Sequence, residues 1–237
     1  MTKTPRTLQI PELAGEPGLV HGFSTLELGS VGLTHTKDPA SVHQSRRRFA
    51  EELGLDPATL TTIGAVHGNE VARVDAPQER VDAVDGLVTN KPGIALFATF
   101  ADCYPIILWD PEHRAIGLAH AGWRGTEADV AAEAVRSMAR EFGSEPGRMK
   151  AAIGPGICGR CYEVGEDVAS RFDTRFVRDT TPGQFLLDLA AANLTQLEEQ
   201  GVREVFTLDL CTKETGFLPS HRRTPDGTRF GAIIAIK

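Results

Sequence analysis

Residues 93–126 read GIALFATFADCYPIILWDPEHRAIGLAHAGWRGT. Three strand-like runs, 93–100, 105–109 and 115–119, follow one another here with no helix between them. Their near-continuous apolar character suits strands covered on both faces. Consecutive strands argue against a strict βαβ alternation, in which each parallel pair needs a crossover helix. The apolar stretch 93–109 is broken by Asp102 and Pro105 and falls short of the roughly 20 residues a membrane helix requires. It therefore reads as core. Its interruption places an acid and a thiol side by side at Asp102-Cys103, and the run after it ends on His120 before turning through glycines.

Outward from this stretch, further strand-like runs occupy 70–74, 150–153, 204–208 and 231–236. Three amphipathic helices are also legible. The first follows an N-cap and proline at Asp38-Pro39, carries Val42, Phe49, Ala50 and Leu53 on one face, and stops at Gly54. The second is expected to start at Thr126, with Val130, Ala134, Met138 and Phe142 on one face, and to stop at Gly143. The third is expected to open at Thr181-Pro182 and run through Leu186, Leu189, Leu194 and Leu197 to Gly201. Such stripes build core. The expected fold is α/β (α+β): mixed β-sheets flanked by helices, in a single domain spanning residues 1–237.

Composition narrows the function. The 237 residues carry 25 Lys+Arg against 32 Asp+Glu, a formal charge of −7, which disfavours a dedicated nucleic-acid binder. The densest basic run, Arg46-Arg47-Arg48, lies within the first helical pattern. The N-terminal stretch lacks the apolar run of a secretory signal, so no membrane partner and a cytoplasmic location are expected. Four cysteines do not make a disulfide scaffold and read as free thiols or metal ligands.

Reactive side chains gather where strands end: His67 in Ala65-Val66-His67-Gly68, Asp102 and Cys103, and His120. A buried Asp is costly unless paired, so Asp102 is unlike a packing residue. Two imidazoles and a thiolate suit Zn²⁺ and leave a fourth tetrahedral position open. With 36 and 17 positions between them, His67, Cys103 and His120 need the fold to bring them together. Spacing alone does not separate this ligand set from hydrogen-bonded histidines and a buried thiol. Arg124, in the glycine-rich turn before the expected helix start at Thr126, offers a forked charge for phosphate; a surface arginine beside a simple cap reads equally well. Cys158-Gly159-Arg160-Cys161 has no second CxxC and reads as structural thiols, with Cys211 far along the chain. His221-Arg222-Arg223 either presents charge to an anionic substrate or forms a solvated loop. His21, His35, His43 and His113 carry no usable pattern.

Taken together, His21-Gly22-Phe23-Ser24-Thr25, Val66-His67-Gly68, Asp85-Gly86-Leu87-Val88-Thr89, Ala101-Asp102-Cys103 and the segment HAGWRG at 120–125 resemble the YfiH/laccase-domain family. Further matches are Ile153-Gly154-Pro155-Gly156-Ile157, Tyr162-Glu163-Val164-Gly165, Asp188-Leu189 with Asn193, Cys211-Thr212 and Ser220-His221-Arg222-Arg223, in the same order along nearly the whole chain. The family is described as purine nucleoside phosphorylases with adenosine deaminase activity, and its members are also called peptidoglycan editing factors. The resemblance implies a metal site at His67, Cys103 and His120, and a pocket for a purine nucleoside and phosphate. The expected catalytic residues are Asp102, Cys103 and Arg124; the expected substrate contacts are Ser24, Arg124 and Arg222. Zinc is the expected metal. Copper, suggested by the family's older description as multicopper oxidases, is disfavoured because no Met lies near the motifs to serve as an axial ligand. One segment departs: where the family continues after Ser24-Thr25 with Arg, a Gly-Gly pair and Ser-Leu-Asn, this chain has Leu26 to Thr34, and Ala65 replaces a common Gln.

A zinc site of this kind can supply a nucleophile from water near neutral pH for attack at purine C6. The His-x-Glu and Pro-Cys-x-x-Cys signature of cytidine-type deaminases is absent, leaving Asp102 as candidate acid–base. Phosphorolysis instead needs phosphate beside the sugar C1′, with Arg124 as host. The rivals are a metal-free cysteine hydrolase with Cys103 as nucleophile and His120 or His67 as base, peptidoglycan-precursor editing among its reactions, and a zinc-stabilised nucleotide-binding protein whose altered N-terminal segment has removed turnover.

Overall fold

The computed structural model describes residues 4–34 and 36–237, so His35 lies outside the described residues. The chain opens with β1 (Thr7–Leu8), β2 (Leu19–Ser24), helix α1 (Pro39–Glu52) and β3 (Leu60–Gly64). Next come β4 (Val71–Arg73), β5 (Arg80–Asp82), β6 (Gly86–Thr89), β7 (Ala95–Phe100), β8 (Tyr104–Asp110) and β9 (Ala115–Ala121). Helices α2 (Trp123–Glu127) and α3 (Val130–Phe142), then β10 (Lys150–Ile153), β11 (Glu163–Gly165) and α4 (Glu166–Ala169) follow. The remainder is β12 (Val177–Thr181), β13 (Gln184–Leu187), α5 (Leu189–Glu199), β14 (Glu204–Thr207) and β15 (Phe230–Ile236).

These strands make two six-stranded mixed sheets, β1-β2-β15-β7-β3-β5 and β14-β10-β8-β9-β6-β4, with β11-β13-β12 as a small third. The alternation along β8 explains their stacking. Ile107 and Trp109 enter a core shared with Leu96, Phe100, Ile234 and Phe23 of the first sheet. Ile106 and Leu108 enter another with Val135 and Met138 of α3 and Leu197 of α5. The first sheet's opposite face packs Phe97 and Ile233 against Phe49 and Ala50 of α1. Helix, sheet, sheet, helix is the layer order, and burial on both faces accounts for the unbroken apolar strands. No helix among the described residues is long and apolar enough to cross a membrane.

Asp38 caps α1 through Ser41 N–H at 3.1 Å, with Pro39 at the first helical position, as the sequence indicated. Two helix starts differ from expectation. Thr126 lies inside the short α2, its hydroxyl accepting from Asn193 Nδ2 at 3.0 Å, and the chain breaks at Asp129 (φ 62°) before α3. Thr181-Pro182-Gly183 is a hairpin turn between β12 and β13, with Gly183 at φ 78°, and α5 is capped by Asp188 instead. Pro-Gly suits the middle of a turn as well as Thr-Pro suits a helix start, and strand pairing settled the choice.

Candidate metal centre and substrate cavity

The register of the β8–β9 hairpin pairs Tyr104 with Ala121 and Pro105 with His120. Cys103, one step before β8, is thereby brought beside His120 and Gly122. A Cβ on Gly122 would meet Cys103 Sγ at 2.9 Å and His67 Cδ2 at 3.2 Å, so this position leaves no room for a side chain. His67 arrives on the loop that crosses from β3 in one sheet to β4 in the other. The donor atoms of His67, Cys103 and His120 all lie within 4.8 Å of one another.

Asp85 arranges two of these groups. It precedes β6, which pairs with β9 so that Gly86 faces Ala119. Fully buried, it accepts from His67 N–H at 2.9 Å, from Val66 and Gly68 N–H at 3.1 and 2.7 Å, and faces His120 Nδ1 at 3.2 Å. These bonds hold His67 in the left-handed region (φ 64°). They also assign the Nδ1 proton of His120, leaving Nε2 for the centre. Burial raises the Asp85 pKa, but His120 and the backbone N–H groups outweigh it and the carboxylate stays below its ordinary range. At Cys103, burial favours the thiol, yet His120 and His67 draw it toward the thiolate; His120 is drawn reciprocally toward its protonated form. The thiolate, with the imidazole lone pairs freed when His120 gives up its extra proton, makes a donor set compatible with a divalent metal.

A cavity of about 610 Å³ opens onto the three donors. Arg46, Arg80, Arg124, Arg222 and Arg229 line it, with His221, Trp123 and Tyr162; among the described residues Asp102 is its one acidic lining residue. The Arg124 guanidinium lies over the Trp123 ring at 4.3 Å, and Arg222 over Tyr162 at 4.9 Å. Among the described residues Arg124 has no ion-pair partner, whereas Arg222 Nη1 donates to Glu163 O at 2.7 Å. Leu33 and Thr34, from the divergent segment, border the same space.

Two expected residues sit differently. Ser24 is fully buried, its hydroxyl accepting from Gly231 N–H at 2.8 Å, and it joins β2 to β15 without lining the cavity. Asp102 lines the cavity (φ 83°), but its oxygens accept from Thr212 Oγ1 at 2.6 Å and from Arg222 N–H at 2.7 Å. It holds the 220–223 segment, and thus Arg222, against the site. The anion site expected at a helix beginning with Thr126 is displaced, since α2 starts after Gly122 and is only five residues long. Asp85 was the residue sequence reasoning passed over. Its signal was the same as that of Asp102, an acid set directly against a fully buried strand.

A helix–sheet–sheet–helix protein with a His₂Cys cluster facing an arginine-lined cavity is the class so defined. The chain belongs to the family described as multi-copper polyphenol oxidoreductase laccase, whose sequence model matches residues 20–237. It is 39% identical over 240 residues to a purine nucleoside phosphorylase of Deinococcus radiodurans, covering 97% of this chain and 92% of that protein. A purine nucleoside phosphorylase of Streptomyces coelicolor is 40% identical over 211 residues, covering 87% and 85%. Among solved structures, YlmD from Geobacillus stearothermophilus superposes with a TM-score of 0.90 at 32% identity, covering 100% and 98% of the two chains. Bacillus licheniformis YfiH gives 0.91 at 27%, covering 99% and 97%.

Proposed function

We propose that this chain is a metal-dependent purine nucleoside phosphorylase, with zinc held by His67, Cys103 and His120. The observation that carries the reading is the convergence of those three donors on a cavity lined by arginines. The purine nucleoside phosphorylase names of relatives covering almost the whole chain support it. Zinc fits this donor set. Among the described residues no methionine lines the cavity, and Met138 of α3 and Met149 are packed in the core, which disfavours a blue-copper centre.

When bound, such an ion supplies Lewis acidity beside the substrate. The chain's own residues do the rest. Arg124 and Arg222 bind inorganic phosphate through charge-assisted hydrogen bonds. Trp123 and Tyr162 offer flat surfaces to the purine and the ribose. A phosphate oxygen bonds to C1′ as the C1′–N9 bond breaks, and the electron pair leaves with the purine, which takes up a proton. Asp102 positions Arg222 through its N–H and orders the cavity wall through Thr212. Adenosine deamination at the same centre is a second activity of this reading.

Incubation of the purified protein with inosine and phosphate is expected to yield hypoxanthine and ribose 1-phosphate. Cys103→Ala and His120→Ala are expected to lower turnover by about 100-fold or more and to remove the metal of this site. Full turnover by a Cys103→Ala protein lacking metal at this centre would refute the proposal. Ammonia release from adenosine, measured in parallel, decides whether deamination accompanies phosphorolysis.

The line Cys103, His120, Asp85 favours one other reading, a thiol nucleophile with an oriented imidazole base. It predicts inactivation by iodoacetamide that substrate prevents and activity that chelators leave unchanged. The second imidazole, His67, has no task in that scheme.

A further inference from the structure

The CxxC at 158–161 does not stand alone. Its partner in space is the turn at 211–214, joined to it by the bridge between Gly156 and Cys211. The ligand atoms of Cys158, Cys161, Cys211 and Glu214 all lie within 4.8 Å of one another. Ligands about 2.3 Å from a zinc ion at tetrahedral angles are roughly 3.8 Å apart, so modest closure completes a coordination shell. Cys158 and Cys161 sit on one tight turn, with Cys161 N–H and Tyr162 N–H both donating to Cys158 O, at 2.8 and 3.1 Å. Cys158 N–H also donates to Cys211 Sγ at 3.4 Å, which ties the two segments together.

We propose that Cys158, Cys161, Cys211 and Glu214 form a second, structural zinc site, separate from the centre at Cys103. Three thiolates and a carboxylate fill all four tetrahedral positions, as in closed structural sites and unlike the three-ligand set facing the cavity. The thiol protons pass to solvent on binding, and no oxidant or reductant is involved.

Nearby positive charge comes from Arg160, whose Nε donates to Glu214 Oε1 at 3.0 Å, and from Lys213, whose Nζ reaches Cys161 O at 3.4 Å. Arg160 also pairs with the second oxygen of Glu214, through Nη2 at 2.5 Å, so one carboxylate oxygen turns from the arginine to the ion on binding. A divalent ion among the sulfurs takes them as thiolates, the form that binds metal. Binding ties together two segments that build the cavity wall. Tyr162 follows Cys161, and Thr212, which donates to Asp102, follows Cys211.

The test is zinc stoichiometry in protein purified under reducing conditions. Wild type is expected to carry about two zinc ions per chain, Cys103→Ala about one, and Cys158→Ser/Cys161→Ser about one. Should the cysteine pair prove necessary for folding, cobalt substitution of the Cys103→Ala protein gives the same answer. Its sulfur-to-cobalt charge-transfer band is expected at the intensity of three thiolates. One zinc in wild type and none in Cys103→Ala overturns this site alone. One in both leaves it standing and removes the cavity centre instead. A disulfide among the three cysteines, found by mass spectrometry of the purified protein, also overturns it.

Discussion

Asp85, itself without solvent contact, accepts from three consecutive backbone N–H groups and faces the His120 imidazole. Replacement by Asn turns one acceptor oxygen into a donor that faces an N–H group, so the His67 loop loses its anchor. Asp85→Asn is expected to weaken zinc binding at His67, Cys103 and His120 by about 10–100-fold, measured by competition with a chelating dye. Asp85 illustrates what the sequence withholds: an acid before an apolar run is visible, but its partners come from residues far away along the chain. His21 is a second case. Read as patternless, it is 1% exposed on β2 and accepts from Ile10 N–H at 2.9 Å through Nε2. Burial lowers its pKa from 6.5 to about 4. Between those values the unfolded chain binds the extra proton. Stability from this group is therefore complete above pH 6.5 and declines as pH falls toward 4. The shift corresponds to roughly 3 kcal/mol. Denaturant midpoints are expected to fall less steeply across that window in His21→Gln than in wild type.

At the level of elements, the donors sit at three junctions, and β-pairing sets where each one points. β7 ends in the first sheet and β8 begins in the second, so Cys103 occupies the crossing. The β8–β9 register delivers His120, and Gly122 closes the gap between β9 and α2. Gly122 has φ −85° and ψ 176°, which any residue adopts, so its requirement is space alone. Gly122→Ala is expected to keep its circular dichroism spectrum and melt within a few degrees of wild type. Its turnover with inosine should fall about 100-fold as the new methyl displaces the Cys103 sulfur. The strands of this region were legible because they are long and apolar. The helix boundaries at Thr126 and Thr181 were not, since local cap chemistry is shared by turns, and a left-handed Asp129 leaves no mark in periodicity.

Across the whole molecule, the mixed sheets and flanking helices were legible, but the pairing that closes them was not. β15 joins β2 from the opposite end of the chain, a contact no local pattern encodes. Charge shows the same gap between sum and placement. The chain carries −7 overall, yet five arginines and one acid line the cavity. An anion entering it meets a local field opposite in sign to the protein's net charge, and short-range contacts there outlast salt that screens beyond about 8–10 Å. The two tryptophans allow this to be read without turnover. Trp109 is buried between the sheets, while Trp123 lies under Arg124 at the cavity. In Trp109→Phe protein, whose emission comes from Trp123, phosphate is expected to change the fluorescence saturably, because an anion drawn to Arg124 alters the charge over the indole. Adding Arg124→Ala should weaken that response about tenfold or more, in line with loss of a charge-assisted bond, and raise the KM for phosphate more than that for inosine. An unchanged phosphate titration in the double variant places the anion elsewhere in the cavity, with Arg222 as its next host.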